Sequence, residues 1–182
     1  ETNTQDSAEE NGEKCRERII DGFFYESWYD RISQFTGIFH YFKGEDSDAI
    51  GGLLEDYCGY STIEGLLSDK KSFTFNKTYK PEHSFEYKFK FDEKSRLYIG
   101  TWEGKNNFNG HSVCKLDNML NQEDIDFIMN YFRSLPKMTD EERGQVLLGY
   151  MVENGIINPL RDSESGELFF DFTEKGKRIA EE

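Results

Sequence analysis

No stretch of this 182-residue chain approaches the roughly 18 consecutive apolar residues of a membrane-spanning helix. Cysteine is scarce: Cys15, Cys58 and Cys114 are an odd, sparse set, poor evidence for a disulfide framework, with one pair able to form in an oxidising compartment and one thiol left over. Positive charge is also in deficit. The 22 basic residues face 36 acidic ones, for a formal charge of −14. A field of that sign repels phosphate backbones and anionic headgroups, so neither nucleic acid nor a membrane is an expected partner. The chain lacks a phosphate-binding loop, a Gly-x-Ser-x-Gly elbow and a dinucleotide fingerprint, and no cofactor is expected. No secretory leader is read at its start, so a cytoplasmic setting is the expectation. Asn76-Lys-Thr78 matches a glycosylation acceptor but falls within a predicted strand.

What the chain has is rings: 16 Phe, 10 Tyr and 2 Trp, ample for a core without a metal or disulfide staple. They are patterned. In His83–Phe91 every second residue from Phe85 is aromatic, with Glu86, Lys88 and Lys90 between them. Period two is strand periodicity, with rings on one face and charges on the other. Similar runs span Thr36–Lys43, Asp48–Asp56, Tyr60–Leu67, Lys71–Tyr79, Leu97–Glu103 and His111–Leu116. About seven short strands at regular spacing predict an antiparallel up-and-down β-meander or barrel. The connections are too short for the helical crossovers of a parallel sheet. Glycines inside the runs, Gly51, Gly52, Gly65 and Gly100, suit bulges or bends.

Before the strands, Ile20, Phe24, Trp28 and Ile32 recur at spacing four, which predicts an N-terminal helix from Glu13 to about Ser33. After Leu116 the period turns helical again. Asn121 caps one helix carrying Ile125, Ile128, Met129 and Phe132, and Pro136 ends it. Thr139-Asp-Glu-Glu142 is a capping box opening a second. A two-stranded ribbon turning at Asp162–Gly166 and a short helix after Thr173 follow. The expected class is therefore α+β. It divides into an acidic, disordered tail (1–12), a helix-plus-barrel domain (13–116) and a helical C-terminal unit with a β-ribbon (117–182).

Two resemblances accompany this reading. Phe35-Thr-Gly37, the run from Asp56-Tyr-Cys-Gly59 to Ile63-Glu-Gly65, Phe73 with Lys77 and Tyr79, and Ile99-Gly-Thr-Trp102-Glu-Gly104 resemble small calycin-type barrels, the group of lipocalins and avidins. That resemblance implies a fold able to hold a small apolar or aromatic molecule. Lipocalins carry Gly-x-Trp in the first strand, whereas Gly100-Thr-Trp102 lies near the end of this meander. Val152-Glu-Asn-Gly-Ile-Ile157, the ribbon and Phe172–Ile179 resemble the wing and closing helix of a winged helix. One helix stands before them where a helix-turn-helix needs two, and 15 acidic against 7 basic residues from Asp117 onward oppose DNA contact.

Catalytic and metal-binding patterns are sparse. His40, His83 and His111 lie in or beside different strands without metal spacing. Glu45-Asp46 and Glu55-Asp56 are adjacent carboxylates, which point to opposite faces of a strand and so cannot work as a facing pair. Asp46-Ser-Asp48 opens like a calcium loop, but position twelve is Tyr57, not Glu. No metal site and no catalytic residue is assigned. An enzyme would have to bring His40, His83 and Tyr98 together in space. The candidate ligand-binding set is Phe39, Tyr41, Phe73, Phe75, Tyr87, Tyr98 and Trp102, with His40 as a polar group. Such rings either fill a barrel or line it around one small ligand. Three functions follow. The first is a non-catalytic interaction module built on the curled sheet, whose acidic helical C-terminal unit meets a protein partner. The second is a carrier for a small apolar or aromatic ligand, and the third an enzyme with a site invisible in sequence.

Overall fold

The computed structural model describes residues 16–42, 48–69, 71–80, 83–105 and 108–181. Eight antiparallel strands close into a barrel in chain order: β1 (Arg16–Glu26), β2 (Arg31–Phe42), β3 (Asp48–Asp56), β4 (Gly59–Asp69), β5 (Ser72–Lys80), β6 (His83–Asp92), β7 (Leu97–Glu103) and β8 (Asn109–Leu116). Pairing of β1 with β8 completes the ring. The class is α+β as expected, with eight strands in place of seven.

The eighth strand is the correction. Residues 16–26 are β1 and not an N-terminal helix. Spacing four fits a helical turn, but it is also two strand periods. Ile20, Gly22, Phe24 and Glu26 share the inner face of β1, while Phe23 and Tyr25 lie on its outer face under a helix. A strand buried on both faces loses its alternation and imitates an amphipathic helix. The acidic tail 1–12, Cys15, the Glu45-Asp46 pair and the start of Asp46-Ser-Asp48 lie outside the described residues.

Inward positions alternate large and small. Gly22, Gly52, Gly65 and Gly100 sit directly opposite Phe35, Phe39, Phe75 and Phe89. At Gly65 a Cβ would stand 2.0 Å from the Thr74 carbonyl oxygen, so the neighbouring strand excludes any side chain there. These glycines make room for rings. The register irregularities lie elsewhere, between Leu67 and Asp69 and between Thr78 and Lys80.

Beyond the barrel come α1 (Gln122–Ser134), α2 (Asp140–Glu153), β9 (Ile157–Arg161), β10 (Leu168–Phe172) and α3 (Glu174–Glu181). Asn121 and Thr139 form the expected capping boxes, and Gly176 N–H donates to Thr173 Oγ1 at 3.0 Å to open α3. Ile128 and Phe132 of α1 pack on Tyr25, Leu97 and Val113, the outer face of β1, β7 and β8. Asp21, also on that face and buried, accepts from Gln34 Nε2 at 3.0 Å and from Leu120 N–H at 2.9 Å. The ribbon β9–β10 and the closing helix are present in the tail, but nothing further supports the winged-helix likeness.

Candidate functional site at one mouth of the barrel

The connections β1–β2, β3–β4, β5–β6 and β7–β8 gather at one end of the barrel. There a cavity of about 620 Å³ opens. Ten of the 18 residues around it are aromatic, so its walls are mostly rings. The inner wall is Phe24, Tyr79, Phe85, Tyr87 and Trp102, carried by β1, β5, β6 and β7. Helix α2 bounds the outer side with Leu147, Tyr150, Glu153 and Asn154. Tyr150 meets Phe108 edge-on at 5.4 Å. The α1–α2 link is held at this end by Lys137, which binds Asp30 in the β1–β2 turn and donates to the Tyr25 hydroxyl at 3.3 Å.

Beneath the aromatic wall lies a buried charge pair. Lys77 donates to Asp56 Oδ2, and the two side chains are 1% and 0% exposed. The Tyr79 hydroxyl donates to the same oxygen, and Cys58 N–H donates to Asp56 Oδ1 at 2.8 Å. Rings solvate the ammonium: Lys77 Nζ is 4.9 Å from the Tyr79 centroid and 5.1 Å from that of Phe24. Burial pushes the Lys77 ammonium below its ordinary pKa, and the Asp56 charge opposes that fall. Burial raises the Tyr79 phenol, and its bond to the Asp56 carboxylate raises it further. The deeper Tyr87 phenol is also raised, chiefly by burial.

A second set repeats this chemistry nearer the rim. Arg31 Nε donates to Glu26 Oε2 at 2.6 Å, and the Tyr57 hydroxyl donates to Glu26 Oε1 at 3.0 Å. The Arg31 guanidinium lies over the Tyr57 ring at 3.9 Å and also donates to its hydroxyl. Burial raises the Tyr57 phenol, with Cys58 and Glu26 adding to the rise. Each set joins a carboxylate, a cation and a phenol whose proton points at the carboxylate. Each phenol oxygen is therefore an acceptor and not a donor towards its other neighbours, and that of Tyr57 already accepts from Arg31.

Trp102 owes its position to a glycine. Its indole N–H donates to the Tyr25 carbonyl oxygen at 3.1 Å, beside Gly110. A Cβ on Gly110 would stand 1.8 Å from that oxygen and 2.6 Å from Trp102 Nε1. Gly110→Ala is expected to cost roughly 1–3 kcal/mol, typical of overpacking, and to shift indole emission to the red as Trp102 is expelled. Chemical denaturation with fluorescence detection checks both; unchanged emission would show that Trp102 does not depend on this gap.

Of the eight residues proposed from sequence, Tyr87 and Trp102 reach the cavity. Phe39, Phe73 and Phe75 fill the barrel below it, each buried. Tyr41 sits on β2 opposite Ile50, and Tyr98 lines a separate cavity of about 640 Å³ with Arg18 and Phe91. His40 is out of phase with Phe39 and lies on the outer face, its Nδ1 without a partner. His40, His83 and Tyr98 do not converge: of the three, only His83 lies at the mouth. His111 packs under α1 at 3.4 Å from the Tyr131 hydroxyl, and burial lowers its pKa.

Sequence reasoning passed over Lys77, Asp56 and Glu26. A signal existed for the first two. Lys77 is in phase with Phe73, Phe75 and Tyr79, and Asp56 with Ile50, Gly52 and Leu54. Among the described residues, no three His, Cys, Asp or Glu side chains cluster to hold a metal, and Cys58 and Cys114 are free thiols. No described helix is long and apolar enough to cross a membrane. The chain matches no protein-family model, and no curated protein matches it.

Proposed function

We propose that the protein is a non-catalytic, calycin-like barrel that binds a small aromatic or apolar ligand in its mouth. The observation that carries this is the 620 Å³ cavity lined mostly by aromatic residues above a core of buried rings. Cavities of a few hundred Å³ with apolar walls and few polar groups suit drug-sized molecules. The closed up-and-down meander supports the calycin likeness. The polar sets speak against catalysis, because Lys77 and Asp56 are spent on each other and neither lines the cavity.

Neutral bicyclic aromatics such as 2-naphthol and tryptophol should bind and stabilise the fold by mass action. At a ligand concentration one hundred times Kd the gain is about 2.7 kcal/mol. In a protein of this size that is a rise in Tm of roughly 5–10 °C. Leu147→Trp, which fills the mouth from α2, should abolish the rise. A flat thermal response across the panel would overturn the reading.

A second reading, an interaction module, rests on the ribbon. Leu160, Leu168, Phe169 and Phe172 are exposed there, on an acidic unit. Exposed apolar side chains grouped in this way favour a protein partner. Sedimentation of the intact chain against a Phe169→Ser/Phe172→Ser variant, which alters both sides of the ribbon, tests self-association through it. Identical monomeric profiles would remove a second copy of the chain as that partner.

A further inference from the structure

We infer that the mouth selects ligands carrying a positive charge: aryl-alkyl ammonium compounds, in preference to neutral or anionic molecules of the same shape. The inference rests on the binding reading above and assigns its ligand class.

The first argument is what the walls offer. Ring faces carry negative quadrupole potential and attract cations, most strongly where water is excluded. The interior already uses them so: Lys77 is held among Phe24, Phe35, Tyr79 and Tyr87, and Arg31 over Tyr57. Rings arranged to solvate an internal ammonium also line the cavity above it, since Phe24, Tyr79 and Tyr87 belong to both.

The second argument is the direction of the hydrogen bonds. Tyr79 and Tyr57 turn their protons towards Asp56 and Glu26. What the Tyr79 hydroxyl leaves for a ligand is an oxygen lone pair, while that of Tyr57 also accepts from Arg31. Glu26 adds a mostly buried carboxylate at the cavity wall, already paired with Arg31 and accepting from Tyr57. An ammonium N–H finds acceptors here.

The third is the fate of the protein's own cations. Lys77 is neutralised by Asp56 and does not line the cavity, and Arg31 is neutralised by Glu26. At the exposed rim the cavity is lined by one residue of each charge, Lys105 and Glu153. An anionic ligand would meet ring faces and acceptor oxygens, both of which repel it. The formal charge of −14 adds a long-range field that gathers cations.

Calorimetry on the intact protein with three ligands of one shape tests this: tryptamine (cation), tryptophol (neutral) and indole-3-propionate (anion). Tryptamine is expected to bind at least tenfold more tightly than tryptophol, and indole-3-propionate more weakly than both. Glu26→Gln should weaken tryptamine tenfold or more and leave tryptophol within about twofold. Because Glu26 holds Arg31 and Tyr57, melting of the variant is measured alongside. The three-ligand series on the unaltered protein decides the matter even if the variant is unstable. Equal binding of tryptamine and tryptophol, or a preference for indole-3-propionate, overturns the charge selection and leaves the binding reading standing. Failure of all three to bind overturns both.

Discussion

Asp56→Ala is expected to lower the unfolding free energy by about 3–5 kcal/mol, because it strands a buried ammonium. Lys77 would keep its ring contacts but lose its counter-ion. The Tyr79 hydroxyl and the Cys58 amide would lose their acceptor as well. Lys77→Met should also be harmful, since it leaves the carboxylate without its counter-ion, held only by the Tyr79 hydroxyl and the Cys58 amide. The double variant Asp56→Leu/Lys77→Met should recover most of the loss, because an apolar pair of similar volume replaces both charges. Urea denaturation of the unaltered protein, Asp56→Leu, Lys77→Met and the double variant forms a double-mutant cycle that isolates the pair. Additive losses from the single variants would mean that the two charges do not depend on each other, and the description of the pair as the floor of the site would fail.

Phe73→Ala carries the second large expected effect, about 3–5 kcal/mol, the range for a large ring removed from a rigid core. Phe73 is 1% exposed. Its ring stacks on Phe89 at 4.8 Å, meets Tyr98 edge-on at 5.0 Å and lies between Phe39 and Phe75 at 6.3 and 6.1 Å. No single neighbour can collapse into the space, because each is itself held by a strand. Phe73→Leu should cost less, since more of the volume is kept. Thermal and urea melts check the order of the two variants. A loss below about 1 kcal/mol for alanine would mean that the lower barrel is loosely filled, and a ligand reaching deeper than the mouth would have to be considered.

Much of the fold was legible from sequence. In the β5–β6 hairpin, Phe73, Phe75, Phe85, Tyr87 and Phe89 alternate with polar residues, and they fill or line the interior as that alternation requires. The capping boxes at Asn121 and Thr139 are local chemistry and were readable for that reason. β1 was not readable, because burial on both faces removes the contrast that alternation depends on. The site was only partly readable. Ring positions mark the inside of a barrel, but which rings fill it and which border a void depends on the side chains opposite. Gly65 faces Phe75 deep in the ring, whereas Lys77 faces Phe85 near the open end. The in-phase lysine was the informative residue. A charge on an inward row needs a partner, and the in-phase Asp56 was the available one. Glu26 gave no such warning while β1 was read as a helix.

Every other pairing in the ring joins strands adjacent in sequence, but β1 and β8 meet across the whole length of the barrel segment. That seam is the last contact a folding chain can make and the dearest in loop entropy. Parted, it would expose two raw strand edges, each a template for aggregation. Helix α1 lies across it, with Ile128 and Phe132 resting on Tyr25 from one side and Val113 from the other. It serves as a clasp that helps keep the ring shut, so the C-terminal unit guards the barrel's solubility as well as bordering its mouth.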